Sequence, residues 1–129
     1  MKINTMIAFA ALLTLSALNA AEPVDPNRYE KEILVPTARD AIQMEVLPGG
    51  DVIFAEFWGT IKRWDAKSGG VSILGSVPTY AKGEIGLLGM AVARDFEQSG
   101  YVYALFAPTA KLGTVRVSRF TVKDGRMAA

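Results

Sequence analysis

The chemistry open to this chain rests on carboxylates, Lys, Arg, Tyr and backbone groups, because its 129 residues hold no histidine and no cysteine. The commonest general base and transition-metal ligand is therefore missing. Thiolate zinc sites, iron–sulfur centres and covalent c-type haem are excluded within the chain as well. Glu45 and Glu56 could pair as acid and base, but they fall on different expected strands with no partner pattern. No catalytic and no metal-ligating residue is assigned. Lys62 and Arg63 are two adjacent cations, too few for a phosphate or nucleic-acid patch. Trp58 and Trp64 could stack on a sugar, although packing between sheets is the commoner use of such aromatics. Gly83, Gly86 and Gly89 are spaced wrongly for a nucleotide-binding loop, and no helix is expected after them. They are expected to permit close backbone approach. Asp95 is expected to cap a turn through its side chain rather than to act as an acid.

The elements that must hold these residues read as β throughout. Ala41 to Val46 alternates, with Ile42, Met44 and Val46 on one face, and Leu47-Pro48-Gly49-Gly50-Asp51 is a turn. Val52 to Phe57 and Ile61 to Trp64 are strands joined by the tight link Trp58-Gly59-Thr60. Val71 to Leu74 follows the turn over residues 65–70. Tyr80 to Glu84 is a loop. Leu87 to Val92 reads as strand because Gly86 and Gly89 each disfavour a helix by about 1 kcal/mol. Ala93-Arg94-Asp95 is its exit turn, Tyr101 to Phe106 and Val115 to Val122 are further strands, and Lys123-Asp124-Gly125 is a turn. Short connections make neighbours antiparallel and adjacent. Before Asp40, Tyr29 to Val35 is an edge strand or an irregular entry stopped by Pro36.

A weak repeat runs through this pattern. Ile61 to Gly69 resembles Val117 to Gly125, 56 residues later, and Gly50 to Phe54 resembles Ser99 to Tyr103, 49 residues later. A period near 50 suits propeller blades or stacked hairpins. A sheet sandwich, or another small self-contained β domain, is the rival reading.

Residues 1–20 read as an export signal. Lys2 gives a small positive start, Met6 to Leu18 is an uncharged apolar or small-residue run, and Asn19-Ala20-Ala21 offers a cleavage point. That run is too short for an ordinary membrane span. The protein is expected to be periplasmic or secreted, with residues 21–40 an extended lead-in. Without Lys2 the 13 remaining basic side chains balance 13 acidic ones, which gives no electrostatic case for nucleic acid or an anionic membrane.

The segments Leu47-Pro48-Gly49-Gly50-Asp51, Gly59-Thr60-Ile61-Lys62-Arg63, Gly83-Glu84-Ile85-Gly86-Leu87-Leu88-Gly89-Met90-Ala91, Asp95-Phe96, Tyr101-Val102-Tyr103 and Arg119-Phe120 together resemble the N-terminal part of the glucose/sorbosone dehydrogenase family. The resemblance covers roughly Asp40 to Gly125. It implies an all-β fold, a six-bladed β-propeller of four-stranded blades, of which residues 41–129 would supply about two. It also implies pyrroloquinoline quinone and calcium in a full-length active relative. There a histidine base serves hydride transfer from a sugar carbon to the quinone. That histidine and the cofactor clamps belong to later blades, so this fragment alone is expected to hold no cofactor and to be inactive.

Glu84 stands where the resemblance places a substrate-facing glutamine, which makes it the substrate-pocket candidate. When ionised it accepts hydrogen bonds and donates none. A role capping a turn is the alternative. Gly83, Gly86 and Gly89 would then lie near the propeller axis. Where the family reads histidine-proline before Asp95-Phe96, this chain has Ala93-Arg94, which loosens the turn by removing a fixed φ. The implied partners are a sugar substrate and an electron acceptor such as a cytochrome c domain. The alternative function is a non-enzymatic periplasmic propeller that binds carbohydrate or protein, within a larger haem-containing redox protein. The end at Met127-Ala128-Ala129 is expected to carry no closing strand.

Overall fold

The computed structural model describes residues 28 and 30–128; the expected signal segment, residues 1–20, lies outside them. The chain divides into two units, Met1–Lys31 and Glu32–Ala129. Arg28, Glu30 and Lys31 of the first are exposed. In the second, strands β1 (Ala41–Val46), β2 (Val52–Glu56), β3 (Thr60–Trp64) and β4 (Val71–Ser76) form one antiparallel sheet in sequence order. Strands β5 (Leu87–Val92), β6 (Tyr101–Phe106), β7 (Arg116–Lys123) and β8 (Arg126–Met127) form a second sheet in the same order.

The expected strands are all present and the repeat is structural. The segments 49 residues apart are the second strands of the two sheets, and those 56 apart are the third strands. The first strands share a further device. Register slips between Ala41 and Gln43 in β1 and between Leu87 and Gly89 in β5. Such bulges bend and twist a strand at a fixed point.

Of the two forms expected before Pro36, residues 30–35 take the irregular one. Two expectations are corrected. A short helix, α1 (Phe96–Ser99), fills the turn after β5, closed by Gly100 in the left-handed conformation. The C-terminal residues do close the second sheet. The turn at Asp124 and Gly125 takes φ of 51° and 72°, and β8 pairs back on β7 through Val122–Met127 and Lys123–Arg126.

The core lies between the sheets. Ile53, Ala55, Ile61 and Leu74 from one meet Leu87, Met90, Val102, Ala104 and Phe106 from the other, with Phe96 of α1 beneath. Gly75 and Met127 touch where the last strands of each sheet meet. Ile42, Met44 and Val46 share a face, but it is the outer one; Met44 is 64% exposed. The odd residues of β2 fill the core instead, because strand side chains alternate faces and cross-strand partners share one. Trp64 and the buried Phe54 also lie on the outer face. With Leu34, Val35, Ile42 and Met44 they line a groove of about 520 Å³ under the lead-in. Neither tryptophan packs between the two sheets.

A partly buried ion pair fixes the β2–β3 hairpin. Arg63 bonds the Asp51 carboxylate through Nε at 2.6 Å and through its terminal nitrogen, while the Ala66 N–H donates to the other oxygen at 2.9 Å. The Ala66 bond and then the Arg63 bond hold the Asp51 carboxyl below its ordinary pKa. That stability is present above the unfolded pKa of about 3.9 and is lost as pH falls through the lowered folded value. Asp51→Asn should cost about 2 kcal/mol at pH 7. Urea unfolding of both proteins from pH 7 to pH 2 should show the gap closing on acidification. A gap constant with pH would exclude the pair as its source.

Candidate functional site

The two ends of the sheet stack differ. At one end tight turns and α1 connect the strands. Asp65 organises one of these turns by accepting bonds from the Ser68 hydroxyl and N–H and from the Lys67 N–H, which lowers its pKa. At the other end the connections lengthen to residues 77–86 between the sheets and 107–115 between β6 and β7. Long loops on a rigid scaffold are where binding groups concentrate.

These loops are tied together. Thr79 pairs with Pro108, the Thr79 hydroxyl donates to the Ala107 carbonyl at 3.0 Å, and the Tyr80 N–H donates to the same carbonyl at 2.8 Å. Lys82 and Ile85 exchange backbone bonds of 2.8 and 3.1 Å around a tight turn with Gly83 at φ 61°. Glu84 is the tip of that turn. Its side chain is exposed and makes no hydrogen bond with any other described residue, so it does not cap the turn.

The three glycines have separate roles. Gly83 supplies the left-handed backbone. Gly86 is packed against Phe57: a Cβ there would lie 2.6 Å from the Phe57 ring and 2.7 Å from its carbonyl oxygen. Gly89 has neither property, and its nearest neighbour would be Leu105 at 4.0 Å. The Gly86 contact brings the Glu84 turn against the β2–β3 turn, which carries Trp58.

Trp58 is held by residues that entered no sequence argument. Its indole Nε1 donates to Asp40 Oδ2 at 2.7 Å, the Arg39 guanidinium lies 5.3 Å from its ring, and the Phe57 ring meets it edge-on at 5.6 Å. Asp40 has φ 47°, unusual for a residue with a side chain. Its carbonyl is pinned by the Phe57 N–H at 2.9 Å. The 18-residue separation of Asp40 from Trp58 has no periodicity that sequence could reveal.

The other candidates do not converge. Glu45 pairs with Ile53 and Glu56 with Ala41, at opposite ends of the β1–β2 pair. Glu56 is buried and accepts from Lys62 Nζ at 2.6 Å and the Arg39 N–H at 3.0 Å. Lys62 and Arg63 are thus neutralised by separate carboxylates on opposite faces of the sheet. Asp95 lies in the turn at the far end. It makes no side-chain capping bond; its carboxylate accepts from the Ser99 hydroxyl at 3.2 Å, and its backbone carbonyl accepts the first bonds of α1.

The family model described as Glucose / Sorbosone dehydrogenase matches residues 38–129. Among solved structures, the PQQ-bound aldose sugar dehydrogenase from Streptomyces coelicolor is 32% identical, with a TM-score of 0.63 over 70% of this chain and 28% of that one. A putative oxidoreductase (glucose dehydrogenase) from Thermus thermophilus is 31% identical, with a TM-score of 0.64 over 74% of this chain and 29% of that one. The apo soluble aldose sugar dehydrogenase from Escherichia coli, 23% identical with a TM-score of 0.59 over 72% and 28%, shares the fold. The chain spans less than a third of the length of each of these structures. No curated protein matches it. The two sheets are part of a β-propeller, and the chain belongs to the glucose/sorbosone dehydrogenase family.

Proposed function

We propose that this chain supplies two blades of an exported, quinone-dependent sugar dehydrogenase, with Glu84 facing the sugar. The 32% identity to a PQQ-bound aldose sugar dehydrogenase carries the reading. The uncharged apolar run from Met6 to Leu18, read as an export signal, supports a periplasmic or secreted location. The expected electron acceptor is a protein such as a cytochrome c domain.

We place the pyrroloquinoline quinone and the calcium on other blades. Pyrroloquinoline quinone carries carboxylates that call for free cations. Of the cations on the first sheet, Lys62 and Arg63 are committed to Glu56 and Asp51. No group of three acidic, histidine or cysteine side chains among the described residues could hold calcium. In this reading both groups sit on other blades, and the 129-residue chain alone oxidises no sugar. What the chain contributes is an exposed carboxylate on a backbone turn fixed against the Phe57 carbonyl.

A chimera tests this. Residues 38–129 would replace their counterpart in the Streptomyces coelicolor enzyme, and dye-linked aldose oxidation would be measured with added quinone. Activity within about a hundredfold of the parent is expected. Glu84→Gln in the chimera should change kcat/KM for glucose about tenfold. A folded chimera without oxidation overturns the reading. Sugar binding without oxidation would favour the non-enzymatic carbohydrate-binding propeller.

A further inference from the structure

Trp58 occupies a turn, where small and polar residues are the rule. It remains 48% exposed, so it adds little to the core. Yet its indole is fixed by the Asp40 carboxylate, the Arg39 guanidinium and the Phe57 ring. Asp40 adopts an uncommon left-handed backbone in doing so. Residues held in such conformations concentrate at functional sites. An exposed aromatic locked in one orientation is preorganised, which lowers the ordering cost of binding.

We propose that Arg39, Asp40 and Trp58 form a saccharide subsite, with the indole as a stacking platform for the apolar face of a pyranose ring. The inference rests on the sugar-dehydrogenase reading only for the choice of ligand class. The chemistry of the cluster selects that class. A pyranose presents C–H groups on its ring faces and hydroxyls around its rim. An indole offers a flat, weakly polar surface to the first. The Asp40 carboxylate accepts from hydroxyls and the Arg39 guanidinium donates to them. Arg39 and Asp40 lie 3.9 Å apart and cancel in charge, which favours a neutral ligand over a phosphate or an amine. The cluster also shares its end of the blades with the Glu84 turn, through the Gly86–Phe57 contact. A longer saccharide could thus be held at Trp58 while one of its rings reaches the pocket.

The two tryptophans make the test internally controlled. In a 15N–1H correlation spectrum of the chain, the Trp58 indole peak should shift saturably with maltotriose. A dissociation constant on the order of millimolar is expected. The Trp64 peak, on the outer face of the first sheet, should stay in place. Trp58→Ala should weaken binding at least about tenfold, read from the Asp40 and Arg39 backbone peaks. Asp40→Asn keeps an oxygen for the indole bond but removes the charge, and should weaken binding severalfold in a spectrum that stays dispersed. No shift at Trp58, or equal unsaturable shifts at both indoles, would overturn the proposal. Binding here with an inactive chimera would leave this subsite standing and remove the dehydrogenase reading. An active chimera without binding would do the reverse.

Discussion

Leu87→Ala should lower the unfolding free energy by about 3 kcal/mol and the melting temperature by about 15 °C. Leu87 is the first residue of β5 and is 0% exposed. It lies opposite Phe106 in the second sheet, and its N–H donates to the Phe57 carbonyl of the first sheet at 2.9 Å. Truncation would open a cavity at the junction of the blades, and the surrounding sheets are too constrained to collapse into it. Leu88, the next residue, faces outward and is 41% exposed. Leu88→Ala should therefore cost less than about 1 kcal/mol. Thermal and urea unfolding of both variants checks the assignment. Equal losses would mean that the two leucines do not lie on opposite faces.

That contrast also shows what the sequence reveals. Strand positions follow from alternation and from glycine-rich turns, and both Leu87 to Val92 and Tyr101 to Phe106 match the observed strands residue for residue. Which face of a strand turns inward does not follow. Ile42, Met44 and Val46 alternate as a buried face would, but their cross-strand row includes Phe54, Lys62 and Ile73 on the outside of the sheet. In a propeller a blade has two covered faces, so both can be apolar and period alone cannot rank them. The two-residue β8 is too short to leave a periodic signal, and it forms because Asp124 and Gly125 reverse the chain. The site divides in the same way. Glu84 is singled out only through the family resemblance of its glycine-rich segment, whereas Arg39, Asp40 and Trp58 meet only through the fold.

Of the three glycines around Glu84, Gly86 should be the least replaceable. Gly86→Ala would set a Cβ 2.7 Å from the Phe57 carbonyl oxygen, a backbone atom that already accepts the Leu87 N–H. The Gly86 carbonyl also accepts from the Ala107 N–H at 3.1 Å, and the Leu87 N–H beside it is bonded to the Phe57 carbonyl, so the glycine is held between the two sheets and has little room to retreat. Overpacking of this kind should cost about 3 kcal/mol. Gly83→Ala meets no neighbour but must keep φ near 61°, for about 1–2 kcal/mol. Gly89 has ordinary space and does not take the left-handed backbone, so even beside the β5 bulge Gly89→Ala should be neutral or stabilising by about 0.5 kcal/mol. Urea unfolding of the three variants ranks them. If Gly89→Ala were as damaging as Gly86→Ala, the Phe57 contact would not be what fixes this turn. The rank matters for function because the Glu84 carboxylate makes no hydrogen bond with any other described residue. Its position depends on the Lys82–Ile85 backbone bonds, and on Gly86 lying flat against Phe57 just beyond them.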